Sequence, residues 1–79
     1  MRLDRNDAER DADEVLAANI RSARVAHDLS QAALAERAGL SRDTIYRIEV
    51  NRLSPSITVL RRLARALKTP IASLLRKDS

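Results

Sequence analysis

The stretch from Leu29 to Pro55, LSQAALAERAGLSRDTIYRIEVNRLSP, limits what this chain can fold into more than any other part of it. It holds two short helical patterns around one tight corner. Ser30 is placed to cap the first, its hydroxyl accepting from N–H groups that a helix start leaves unpaired, and Leu34, Ala35 and Ala38 then form an inward stripe. Gly39 ends that helix, because a residue without Cβ can take the left-handed conformation. Leu40 plugs the corner and Ser41 caps the next helix almost at once, so the turn is short and sharp.

In the second of these helices Ile45 and Ile48 are three apart and face inward. Arg42 with Tyr46 and Asp43 with Arg47 form two i,i+4 pairs facing outward. Apolar and basic sides are therefore cleanly separated, which is how a protein presents a helix to DNA.

The flanking segments read as helices too. A first core helix is expected from about Val15 to His27, with Leu16, Ile20, Ala23 and His27 on one side and Arg21 and Arg24 nearer water. Val50 to Pro55 forms a loop, and Ser56 caps a fourth helix whose Ile57, Leu60, Leu63, Ala64 and Leu67 point inward. Arg61, Arg62, Arg65 and Lys68 lie on its other faces, an arginine run that reads as a solvated surface. Thr69 and Pro70 mark a fifth start, followed by the apolar Ile71, Leu74 and Leu75. The expected fold is all-α, a compact bundle of five helices. Residues 1–14, MRLDRNDAERDADE, read as a charged leader, mobile or weakly helical, and residues 15–79 as the domain.

A chain of 79 residues is expected to make one small domain, burying only about 60% of its unfolded surface, and no second, sensing domain is expected in it. Without cysteine it has neither a disulfide framework nor a thiolate metal site, and one histidine supplies no zinc cluster. No cofactor or metal is expected. With no glycine-rich phosphate loop, no second histidine and no pocket-sized domain, an enzyme is excluded. His27 is assigned no chemistry and is expected half covered at the core boundary. Since Phe and Trp are absent, the core has to be built from Leu, Ile, Val and Ala. No apolar run approaches the roughly 18 residues of a membrane span, so a soluble cytoplasmic protein is expected.

The net charge of +4 conceals an asymmetry. Residues 1–14 carry three arginines and six acids, which leaves twelve basic and five acidic side chains for residues 15–79, a body of +7 behind a leader of −3. Such a body favours a polyanion through phosphate neutralisation and counterion release. Solvation is the simplest role for the leader; folding back over the basic surface or pairing with a partner protein are the others.

Taken together, Leu29-Ser30-Gln31, Leu34-Ala35, Ala38-Gly39-Leu40-Ser41, Thr44-Ile45, Arg47-Ile48-Glu49, Ser54-Pro55-Ser56 and Leu63-Ala64-Arg65-Ala66-Leu67 carry a family resemblance. Over roughly residues 15–76 the chain resembles the helix-turn-helix family of phage repressors, Cro proteins and xenobiotic-response-element-type bacterial regulators. The resemblance implies a lambda-repressor-like DNA-binding domain. Three places depart from the commoner pattern: Asp28 for a frequent glycine, Ala33 for a frequent capping glutamate, and Val50-Asn51 for a polar residue plus glycine.

In that geometry the second helix of the pair lies in the major groove and its first residues meet base edges. Base readout then falls to Arg42, Asp43, Thr44 and Arg47, with arginine giving paired donors to guanine. Asp43 either accepts from a cytosine amino group or orients Arg47. Gln31, Ser41, Tyr46 and Arg52 are candidates for the DNA backbone, and Arg24 with Glu49 matches a pair bridging helices in some relatives. Family members usually bind palindromic sites as homodimers. Ile71, Leu74 and Leu75 are interface candidates here, unless they close the core. The function implied is a sequence-specific, double-stranded DNA-binding transcriptional regulator of bacterial or phage type, with no small-molecule effector evident. The alternative is a protein-interaction module such as an antitoxin or adaptor, binding through Val50, the leader or the last helix.

Overall fold

Three serines start three helices. Ser30, Ser41 and Ser56 each sit in extended backbone, and each hydroxyl accepts the N–H of the residue three further on: Ala33 at 3.0 Å, Thr44 at 3.0 Å and Val59 at 3.2 Å. The computed structural model describes residues 7–77, residues 7–11 by their backbone alone. Its elements are α1 (Asp7–Ala26), α2 (Gln31–Ala38), α3 (Arg42–Glu49), α4 (Ile57–Ala66) and α5 (Ile71–Leu75), with no strand among the described residues.

The first four helices also end alike. Asp28, Gly39, Asn51 and Lys68 have φ of 57°, 69°, 61° and 52°. At Gly39 the backbone N–H returns to the Glu36 carbonyl at 3.3 Å while the Leu40 N–H reaches the Ala35 carbonyl at 2.8 Å, which satisfies two otherwise orphaned oxygens. The same pair of bonds recurs at Asp28 and Leu29, Asn51 and Arg52, and Lys68 and Thr69. The corners are thus set by one device, used three times without glycine.

The core is entirely aliphatic. Ile20, Leu34, Ile45, Ile48, Leu63, Leu67 and Leu74 are the largest fully buried side chains, and no polar residue belongs to the core among those described. α2 rests on α3 and α4, while α1 runs across α3 and α5. This arrangement holds α3 by its apolar edge and leaves its other side to water.

Four expectations need correction. α1 begins at Asp7 rather than near Val15, because a helix nucleated on the buried Leu16 and Ile20 extends toward its N-terminus at one hydrogen bond per added residue, without a new nucleus. The leader's residues 1–6 lie outside the described residues. His27 follows the end of α1 and is exposed, since the chain turns there toward Asp28. Ile57 is exposed because burial on α4 begins only at Val59 and Leu60, so its first turn stands past the covering helices.

The last correction concerns α5. Leu74 is 1% exposed and closes the core, so it is not available to a dimer surface, whereas Leu75 is 54% exposed and Ile71 is half-buried against the core. The reason is a link that periodicity does not reveal. Asn19 on α1 donates from Nδ2 to the carbonyls of Leu74 and Arg76, both at 2.7 Å, and fixes the rotation of this short helix.

Candidate nucleic-acid interface

α3 places its residues by simple alternation around the helix. Ile45 and Ile48 are buried, and Arg42, Asp43, Tyr46 and Arg47 are exposed on the other side. Arg47 Nε lies 2.9 Å from Asp43 Oδ2, one turn away and with both side chains largely in water. Such a pair contributes little to stability, but it restricts where the guanidinium points. Arg42 has no partner among the described residues. Thr44 is half-buried, its Oγ1 2.8 Å from the Ser41 hydroxyl, so Ser41 and Thr44 both belong to the cap that starts the helix.

The other end of α3 is held by a buried ion pair. Arg24 on α1 donates from Nε to Glu49 Oε2 at 2.7 Å and from Nη2 to Glu49 Oε1 at 3.1 Å, while its Nη1 reaches the Leu29 carbonyl at 2.8 Å. Gln31, the first residue of α2, adds a donation to Glu49 Oε1 at 3.2 Å. The side chains of Arg24 and Glu49 are 14% and 3% exposed, so Arg24 is not on the wet side of α1 that its spacing predicts, because the Glu49 carboxylate draws it inward. One carboxylate therefore ties the last residue of α3 to α1, and to the start of α2, with no buried side-chain polar atom left unpaired among the described residues.

The remaining expected contacts are more scattered. Gln31 is half-buried and already engaged by Glu49; Tyr46 is exposed nearby; and Arg52 is exposed in the loop after α3, just past the left-handed Asn51. Gln31 and Tyr46 line one groove, and Arg21 lines it with them. Arg61, Arg62 and Arg65 are exposed on α4, and Arg62 Nη1 approaches the Gly39 carbonyl at 3.5 Å. No described helix is long and apolar enough to cross a membrane.

Sequence reasoning missed the link from Gln31 to Glu49 and the clamp at Asn19. A signal for the second was present: asparagine is a weak helix former, so its place mid-helix between buried Leu16 and Ile20 asks for a partner.

A helix-turn-helix family model matches residues 20–74. The control protein C.SmaI of Serratia marcescens is 40% identical over 68 residues, which cover 86% of this chain and 81% of that protein. Among solved structures, the hypothetical transcription factor NHTF from Neisseria superimposes with a TM-score of 0.79 at 32% identity, covering 82% of this chain and 75% of that one. The restriction-modification controller protein C.AhdI from Aeromonas hydrophila gives a TM-score of 0.76 at 29% identity, over 78% and 94% of the two chains.

Proposed function

The chain belongs to the helix-turn-helix family, and from that premise we propose that it is a sequence-specific, double-stranded DNA-binding transcriptional regulator. The observation that carries this reading is α3: anchored by Ile45, Ile48 and the Arg24–Glu49 pair, it offers Arg42, Asp43 and Arg47 on one exposed side. With α3 in the major groove, Arg42 gives paired donors to guanine O6 and N7. Asp43 holds Arg47 by Nε and leaves its terminal nitrogens for a second base, which supports the orienting role for this carboxylate. Thr44 lies beside them at the helix start. Gln31, Ser41, Tyr46 and Arg52 meet phosphates, setting register without reading sequence.

One recognition helix spans too few base pairs for a unique site, so the protein acts as a homodimer on an inverted repeat. Leu75, with the edge of Ile71, is the part of α5 left to support that contact. It acts in the cytoplasm, its control set by protein concentration, promoter architecture or a partner, and the likeness to C.SmaI and C.AhdI supports a controller-type role.

A second reading, a protein-interaction module such as an antitoxin or adaptor, is favoured by one observation. Between α1 and the end of α3 an open groove of about 740 Å³ is lined by Ala17, Ala18, Val25, Ala26 and Val50 together with the polar Glu14, Arg21, Ser22, Glu49 and Asn51. Selection from a random duplex library at near-physiological salt separates the two. A regulator enriches an inverted repeat, binding it roughly 10³-fold or more above background. Arg42→Ala and Arg47→Ala then each lose about 1–3 kcal/mol on that site and relax base preference, while Arg52→Ala weakens all sequences alike. No enrichment, with only salt-labile binding, would transfer the case to the module.

A further inference from the structure

The groove shared by Gln31 and Tyr46 is small, about 230 Å³, and is lined by Arg21, Arg24, Gln31, Tyr46, Glu49 and Val50. Its charges do not count equally. Arg24 spends its guanidinium on both Glu49 oxygens and on the Leu29 carbonyl, so Arg24 and Glu49 cancel each other. Arg21 is exposed and has no partner among the described residues. It leaves the groove with one uncompensated positive charge.

The neutral donors fit the same sign. The Gln31 amide nitrogen carries two hydrogens, and the bond to Glu49 uses one of them while fixing which way the amide faces. Tyr46 contributes a hydroxyl from the exposed side of α3. A cation, an amide N–H and a phenol O–H around one opening are a donor set for a singly charged, multi-oxygen acceptor. A lone anion gains little from one exposed cation in water. A phosphodiester carried in by the docking of α3 arrives at high effective concentration, so a weak intrinsic affinity is enough.

We propose that Arg21, together with Gln31 and Tyr46, holds one backbone phosphate of the bound DNA duplex, making α1 part of the DNA-binding surface. The proposal rests on the duplex-binding reading above and extends it to a helix outside the recognition pair. Arg21 is a positioning contact: it sets how α1, and through Arg24 and Glu49 the end of α3, sits against the strand.

The test measures the salt dependence of binding to a mixed-sequence duplex and to the selected duplex, for the wild type, Arg21→Ala, Arg21→Lys and Arg61→Ala. Removing one phosphate contact lowers the magnitude of the slope of log affinity against log salt by about 0.9. Arg21→Ala is expected to show that change, with the same fold-loss on both duplexes and an unchanged melting temperature. Arg21→Lys keeps the slope, as does Arg61→Ala on the far helix. An unchanged slope for Arg21→Ala overturns the phosphate contact while leaving duplex binding by the wild type intact. A loss confined to the selected duplex overturns it in favour of a base contact. A wild type that binds no duplex removes both this inference and the reading beneath it.

Discussion

Replacing Glu49 by alanine should damage this domain severely, because it breaks the ion pair that ties α3 to α1. The side chain is 3% exposed and accepts three hydrogen bonds, two from Arg24 and one from Gln31. Its removal leaves the Arg24 guanidinium, 14% exposed, holding only the Leu29 carbonyl. Breaking a buried pair from one side costs about 3–5 kcal/mol, because the surviving charge stays desolvated without its partner. Domains of this size have on the order of 5–15 kcal/mol in total, so the loss takes a large share. At about 4–8 °C per kcal/mol, the melting temperature falls by roughly 12–40 °C. Thermal denaturation followed by far-ultraviolet circular dichroism reads this directly. The double variant Arg24→Met, Glu49→Leu removes both charges and should recover much of the loss, since a buried pair is often replaced by apolar side chains with little net change. It would not recover DNA selectivity in full, because the carboxylate also fixes the end of α3 against α2. A Glu49→Ala variant within about 1 kcal/mol of wild type would refute the reasoning, showing that water replaces the carboxylate at no appreciable loss.

Further outcomes follow from the helix ends and from α5. Lys68→Gly should stabilise the domain by about 0.5–1 kcal/mol, because its φ of 52° costs a side-chain-bearing residue more than the extra chain entropy glycine loses. Gly39→Ala should destabilise by about 1–2 kcal/mol through conformation alone, as the nearest atom to the added Cβ would be Arg62 Nη1 at 3.8 Å; urea denaturation of both variants checks the two signs. Leu74→Ala should cost about 2–5 kcal/mol, being 1% exposed, whereas Leu75→Ala should leave the monomer's stability nearly unchanged and weaken self-association in analytical ultracentrifugation. Equal effects of the two on folding would contradict the assigned rotation of α5.

Local chemistry and periodicity determined most of this fold. The serines at 30, 41 and 56, the glycine at 39 and the spacing of Leu34, Ile45, Ile48, Leu60 and Leu63 act through bonds and faces within a few residues, so helix starts and the sides they bury are legible in the sequence alone. The exposed arginines of α3 are legible for the same reason. Tertiary structure decided what depends on distant partners. Whether Leu74 or Leu75 turns inward depended on how α5 packs on α1 and α4, with Asn19, 55 residues before Leu74, holding its carbonyl. Whether Ile57 is covered depended on where α4 meets its neighbours, and α1 reached back to Asp7 because its buried half supplied the nucleus. Arg21, which periodicity marks only as a wet-side arginine, gained its groove from Gln31 and Tyr46, which come near it only when three helices meet. Periodicity encodes which side of a helix is apolar; only packing fixes what that side, and the polar one opposite, are placed against.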